Sequence, residues 1–586
     1  MVVSRLGVFW LESDPATGLN LIHTVLSSDA PARPLLSKPL GVRSDVNGYG
    51  GGALCASPDT LYSVESASQQ IVAIDPSSGR CTALTSDTNA CFGGLVWDGG
   101  RLLAVRESNG EQQLVAIEYG RPTVLHSGLD FYSAPAVSSD GQRLAWVSWQ
   151  LPDMPWVAST LWIADVSGDG SLRNAKPVTT PEPGCVQQPL FDGDKLVALS
   201  DHQDWWQPWQ WGEAGGWQCL DDVRADGANA PWQLGESHHL ALPNGGWLRV
   251  RFCDGIGQLW WQKANVRLIQ LAEHFVDFRC LRLHGTNAYC LARSVDRLDS
   301  VLRIDAASGQ VQEIAGGESP YPGVKLATPE PFVLQTSEGD EPAQSGFYYP
   351  PFAGNESESF PPPLILIAHG GPTSMAYAAI NPQIQFLCHQ GFAVADVNYR
   401  GSSGFGRAGR LALAGQWGLV DVQDMEGAAQ HLIDAGRAAP GRVAIQGRSA
   451  GGYTALMAMA TSIRFAAGVS QFGVSDPERL RELTHRFESG YLDWLLGPFE
   501  EGSGCWQTRS PLAQAHRIQR PVAFFQGGKD RVVVPQQTEV MANAIRVNGQ
   551  QPLVRLYPDE GHGFRQAANQ IDMLRELANF YHRVFA

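Results

Sequence analysis

The spacing of apolar residues changes once along this chain, close to GGESPYPG at residues 316–323, and a single layer of structure cannot accommodate both patterns. Before that point, short alternating runs are separated by turn signals, and the runs resemble one another. IVAIDPSSGR at 71–80 and VLRIDAASGQ at 301–310 both read as a strand, an Asp and a Ser-Gly turn. LVWDGGRLLAV from Leu95 and AVSSDGQRLAWVSW from Ala136 both read as two strands joined by a tight Gly-containing hairpin. Hairpins of this kind build propeller blades or arrays of β-sandwiches. Their repetition without helical period over the whole region favours the propeller, and at about 40 to 50 residues per blade there is room for roughly seven.

After residue 320 the apolar runs at 364–368, 392–398, 443–447, 522–527 and 553–558 alternate with helical stretches, and a last helix runs from about Asn569 to the end. That alternation predicts a mostly parallel sheet with crossover helices. The expected division is therefore a β-propeller over residues 1–320 and an α/β domain over 321–586.

Composition narrows the function classes. A formal net charge of −16 opposes the phosphate contacts on which nucleic-acid affinity rests, so no nucleic-acid partner is expected. The 10 Cys are scattered without a Cys-x-x-Cys pair, and they are expected to be reduced, mostly buried thiols rather than a metal or redox site. MVVSRLGVFWLESD is too short an apolar stretch for a secretory signal, and no run approaches the ~20 apolar residues of a membrane span. The expectation is a cytoplasmic enzyme with no membrane partner; a homo-oligomer is compatible with the sequence.

Gly447-Arg448-Ser449-Ala450-Gly451-Gly452 follows an apolar strand and precedes the helix former ALMAMA at 455–460. This is the strand-turn-helix context in which a strained turn presents a Ser hydroxyl. A Ser hydroxyl is a poor nucleophile near neutral pH, so it needs a His to accept its proton and an acid to orient that His. Asp530 in GGKDRVVVP and His562 in PDEGHGF follow the strands at 522–527 and 553–558, at the sheet edge where Ser449 also opens. Taken singly, Asp530 reads as a turn cap and His562 as a surface histidine; their order and placement make the triad the stronger reading. Asp559 and Glu560 read as solvated turn residues. Oxyanion donors, each worth about 3 kcal/mol, are expected from the amides of Ala450 and of Gly371 in His369-Gly370-Gly371-Pro372.

HGGPTS at His369, NYRGSSGFG at Asn398, WGLVDVQD at Trp417, GRSAGGY at Gly447, FGVSD at Phe472, HRFESGYLDWLLG at His485, GGKDRVVVPQQ at Gly527 and GHGF at Gly561 occur in that order. With them the chain resembles the prolyl oligopeptidase family of serine peptidases, in its acylaminoacyl-peptidase-like and bacterial aminopeptidase branch. The resemblance implies a propeller capping an α/β-hydrolase domain, cleavage of short peptides, and catalytic roles for Ser449, Asp530 and His562. Relatives carry His-Glu-Tyr-Gly-Gly-Gly where this chain has Asn47-Gly48-Tyr49-Gly50-Gly51-Gly52.

His369, Phe472 and Glu488 are the candidate substrate contacts. Glu488 is the acid that could pair with a substrate ammonium, against a salt bridge to Arg486 or Arg481 on the same helix. Trp205, Trp206, Trp209 and Trp211 are expected to pack between blades, and Asp421 and Asp424 to hydrogen-bond loops. The function expected is release of amino-terminal residues from small peptides or amides through an acyl-enzyme on Ser449, with no metal or organic cofactor. The alternatives are an acylaminoacyl peptidase, a dipeptidyl peptidase, an esterase or amidase acting on a small natural product, and a propeller binding module with a vestigial hydrolase domain.

Overall fold

The computed structural model describes residues 1–586 except 26–30, 213–215, 244, 265–266, 335–343, 353–360 and 501–503. By internal packing the chain forms two compact units. One comprises Met1–Asp14, Gly18–Pro320 and His485–Gly490; the other comprises Pro15–Thr17, Tyr321–Thr484 and Tyr491–Ala586.

The first unit is a seven-bladed β-propeller. Its antiparallel sheets are built from strands lying between residues 2 and 34, 54 and 83, 90 and 126, 131 and 178, 186 and 219, 239 and 271, and 275 and 316; each strand pairs with its neighbours in sequence, except that Phe131–Tyr132 and Ala136–Val137 both pair with Arg143–Trp149. Strands such as Asn287–Ser294 alternate strictly between half-buried and buried positions, as a sheet packed between two others requires. The repeated Asp turns coincide to the atom. Asp75 Oδ1 accepts from the Ser77 amide at 2.9 Å, Asp305 Oδ1 from the Ala307 amide at 3.1 Å, and Gly79 and Gly309 follow at φ 71° and 73°. Among the described residues ring closure involves no strand exchange, because the first blade's four strands, Val2–Ser4, Gly7–Ser13, Asn20–Val25 and Arg33–Pro34, are consecutive. Val8, Trp10 and Val25 of that blade instead pack on Val301 of the seventh. Within the tryptophan group, Trp206 and Trp209 are buried, and Trp211 packs on apolar residues of the preceding blade.

The second unit is built on an eight-stranded sheet. Its strands are β1 (Glu330–Val333), β2 (Ser345–Tyr349), β3 (Leu364–Ala368), β4 (Ala393–Asn398), β5 (Val443–Arg448), β6 (Ala467–Gln471), β7 (Val522–Gly527) and β8 (Leu553–Tyr557), in the order β1-β2-β4-β3-β5-β6-β7-β8. β1 and β2 pair antiparallel, as do β2 and β4, and all other pairs are parallel. Every residue of β3 and β4 is buried, which is why they read as continuous apolar runs. β6, with the sequence AGVSQ, was not among the expected strands. Its small residues carry little strand preference, and it is a strand because β5 and β7 pair with it on both sides.

None of the ten cysteines is in a disulfide, but the expectation that most are buried is corrected: Cys55, Cys185, Cys290 and Cys388 are buried, while Cys81 and Cys505 are exposed. Cys81 opens the exposed last strand of the second blade, which has no covering neighbour. Among the described residues no helix is long and apolar enough to cross a membrane.

Candidate active site

β5 ends at Arg448 and the helix Ala450–Thr461 starts two residues on, so the chain reverses direction at Ser449. Ser449 holds φ 53° and ψ −119°, a conformation that costs a residue with a Cβ about 1–3 kcal/mol and persists only where its surroundings enforce it. The enforcement is backbone packing. A Cβ on Gly451 would come 2.0 Å from the Ala368 carbonyl oxygen, so only glycine lets the helix start approach β3. The Ser449 amide donates to the Gln471 carbonyl of β6 at 3.0 Å.

His562 lies on the loop after β8, with Nε2 2.9 Å from Ser449 Oγ and Nδ1 2.8 Å from Asp530 Oδ2. Asp530, on the loop after β7, is fully enclosed, and its second oxygen accepts from the amides of Val532 and Val533 at 2.9 Å each. Gln526 Nε2 adds a bond to Oδ2 at 3.2 Å and is itself fixed by Thr538. A carboxylate held by four donors cannot swing away from the imidazole, which fixes the ring with Nδ1–H toward Asp530 and Nε2 toward the serine.

Glu560 departs from expectation. It is 3% exposed, and its carboxylate accepts from the Arg565 amide at 3.0 Å, the Gln566 amide at 2.9 Å and Asn569 Nδ2 at 2.9 Å. It staples the segment that follows His562 rather than standing in water. Asp559 does remain exposed, paired with Lys529 at 2.8 Å. Residues 565 to 569 gave no sign in the sequence that their amides would need an acceptor.

The loop after β3 passes beside the nucleophile: a Cβ on Gly370 would sit 3.6 Å from that of Ser449. Gly371 follows at φ 122°, before a cis bond to Pro372. Neither the Gly371 nor the Ala450 amide donates to another group among the described residues, so both are free to serve a developing oxyanion. His369, expected as a substrate contact, has a different part. Its Nδ1 faces the Gly370 carbonyl at 2.9 Å, its Nε2 faces Ser402 Oγ at 2.7 Å, and its ring stacks on Tyr399. Burial pushes its pKa down to about 4, against the bond that its ring donates to the Gly370 carbonyl, so a neutral ring braces the oxyanion loop. The Tyr399 hydroxyl completes the brace by donating to the His369 carbonyl at 2.9 Å.

Phe472 is buried and meets His562 edge-on with centroids 4.9 Å apart, walling the imidazole. Asp421 accepts from Thr454 on the helix behind Ser449 at 2.6 Å and from the Gly418 amide at 2.7 Å, while Asp424 binds Arg400. Both are loop and helix anchors, in line with the sequence reading.

Glu488 belongs to the segment His485–Gly490, which is part of the propeller unit. Neither arginine pairing holds, because Arg486 binds Asp130 and Arg481 binds Asp493. Glu488 Oε1 instead accepts from the Tyr49 hydroxyl at 3.0 Å, with His485 Nε2 3.5 Å from its other oxygen. Tyr49 is the residue that sequence reasoning passed over. It stands in the glycine-rich stretch at 47–52, and its ring packs edge-on to Trp232 and His485.

A model described as "Prolyl oligopeptidase family" matches residues 378–586. The chain is 32% identical over 227 residues to dipeptidyl peptidase family member 6 of Caenorhabditis elegans, an alignment that covers 38% of this chain and 31% of that protein. The chain thus aligns with about a third of the length of that curated relative. The match to a solved Mycobacterium tuberculosis puromycin-hydrolyzing peptidase is far longer, at 30% identity, a TM-score of 0.92, and coverage of 99% of this chain and 93% of that one. A second solved structure, a puromycin hydrolase, superposes with a TM-score of 0.93 at 27% identity over 100% of this chain and 94% of that one.

Proposed function

The chain belongs to the prolyl oligopeptidase family and is a serine peptidase of that type, and from this premise we propose that it releases amino-terminal residues from short peptides or small amides. The observation that carries the reading is the continuous chain from Ser449 Oγ through His562 to Asp530, at 2.9 and 2.8 Å, beside two undirected amides. His562 takes the Ser449 proton as Oγ attacks the scissile carbonyl. The amides of Gly371 and Ala450 then receive the oxyanion, and imidazolium stabilised by Asp530 protonates the leaving amine. Water repeats the sequence on the acyl-enzyme and regenerates Ser449.

Selection of a free amino terminus is assigned to Glu488. Its carboxylate is oriented by the hydroxyl of Tyr49, whose ring packs on His485 and Phe487, an environment suited to an ammonium group. The preference for small amides is supported by the two full-length structural relatives, whose names specify puromycin as their substrate.

The test is hydrolysis of alanyl and leucyl anilides with free and acetylated amino termini, and of puromycin, with Ser449→Ala as blank. Faster turnover of the free forms is expected, together with loss of that preference in Glu488→Gln. Faster turnover of the acetylated anilides would replace this reading with an acylamino-acid-releasing one. No Ser449-dependent turnover of any of them would remove it.

A further inference from the structure

The propeller unit contains a cavity of about 420 Å³, within the size range of small-molecule sites. It is lined from all seven blades, by residues such as Val2, Leu54, Leu95, Ala134, Val186 and Leu240 on or beside their first strands, and therefore lies on the axis of the ring. Its wall is mostly apolar and carries two groups of opposite charge, Glu236 and Arg282. Arg282 is fixed by two backbone carbonyls, with Nη2 donating to that of Gly235 and Nη1 to that of Leu281, at 2.9 Å each. Yet the guanidinium and the Glu236 carboxylate form no ion pair with each other or with any other described residue. His239, also on the wall, does not compete as a cation: burial pushes its pKa down to about 4, and its Nε2 faces the Gln188 carbonyl at 2.8 Å.

Two opposite charges on the wall of one apolar enclosure, neither in an ion pair, retain much of the cost of their partial desolvation without the contact Coulomb energy that would offset it. A ligand carrying both complementary groups supplies that energy to each at once. We propose that the axial cavity binds a short zwitterion, a free amino acid or unblocked small peptide, with its ammonium at Glu236, its carboxylate at Arg282 and apolar side chains on the surrounding wall. Guanidinium presents two parallel donors to a carboxylate, so the Arg282 end sets orientation as well as charge. Burial, opposed by Arg279 and reinforced by Asp277, lifts the Glu236 carboxyl to about 7, so an arriving ammonium draws it into the ionised form near neutrality. This site is distinct in composition from the Ser449 machinery, and its occupancy does not depend on which bond Ser449 attacks.

The test titrates leucyl-leucine, its N-acetyl form and its C-terminal amide into the full-length Ser449→Ala protein by calorimetry, and repeats each titration with Glu236→Gln and Arg282→Gln added. The inference expects a binding event that weakens at least tenfold in either variant. It also expects acetylation to cost nothing further once Glu236 is replaced, and amidation nothing further once Arg282 is replaced. That cross-dependence separates contact with the ligand from general damage, and the capped peptides probe the unaltered cavity should a variant fail to fold. Equal binding of all three peptides, or binding of leucyl-leucine that both variants leave intact, would overturn it. Turnover of the anilides by protein with Ser449 intact is measured separately, so failure of the peptidase reading and failure of the cavity site give different patterns.

Discussion

The carboxylates that close the propeller's turns and those that hold the loops of the hydrolase unit do the same chemical job over different sequence distances. Asp75, Asp169 and Asp305 each accept from groups two or three residues ahead, on exposed turns. In Asp75 the bonds from the Ser77 and Ser78 hydroxyls hold the carboxyl well below the usual carboxylate range. Asp530 and Glu560 are buried instead and join segments that their neighbours in sequence do not reveal: Asp530 meets His562, and Glu560 meets residues up to Asn569. A local cap is replaceable by water. A buried one leaves its donors stranded when it is removed.

The sharpest break of this comparison is Asp530→Asn. The amide retains size and burial but offers Nδ1 of His562 a donor or a neutral acceptor, and turnover should fall roughly 10⁴-fold with little loss of stability, read by kcat beside a melting curve. A fall below tenfold would mean that the imidazole is oriented by something other than Asp530.

Glu560→Ala should come next. It strands the amides of Arg565 and Gln566, at about 1–3 kcal/mol each, and loosens the segment that positions His562. A kcat lower by roughly 10- to 100-fold is expected, with part recovered in Glu560→Gln. A lower melting temperature at unchanged kcat would confine Glu560 to stability.

Asp396 on β4 sharpens the contrast from the other side, being buried without such wrapping: its Oδ1 has no partner. Burial, against the pull of Arg448, lifts its pKa to about 7. A carboxyl raised above its unfolded value contributes stability that is present below pH ~4 and lost as pH rises through about 7. Asp396→Asn should therefore be more stable than the parent at pH 8, by on the order of 1–3 kcal/mol, with the difference closing toward pH 4 in urea titrations. A difference independent of pH would sink this account. The smallest effect is expected from Asp75→Ala, which should leave kcat/KM unchanged and shift the melting curve only marginally; a loss of activity there would show that the turn is not local.

The same distinction explains what could be read in advance. The propeller was legible, though not a firm count of its blades, because strand-and-turn patterns such as Asp-x-x-Ser-Gly recur along the region, and Ser449, Asp530 and His562 because each follows an apolar strand in a fixed order. Glu560 was misjudged because a carboxylate beside a turn glycine looks the same whether it faces water or five residues of backbone. β6 was invisible because AGVSQ is a strand only by virtue of its neighbours. Tyr49 drew no attention because its meaning depends on Glu488, 439 residues away.

The ring of the propeller is shut by side chains alone, where the first blade meets the seventh. Among the described residues no ladder of hydrogen bonds crosses that seam or the seams between successive blades, but here no chain connection joins the two neighbours either, so the work of parting it scales with apolar area, and apolar attraction weakens on cooling. Lowering the temperature or raising the pressure should loosen this one joint before any other in the ring, which makes the seam between Trp10 and Val301 the place where the circle behaves as a clasp.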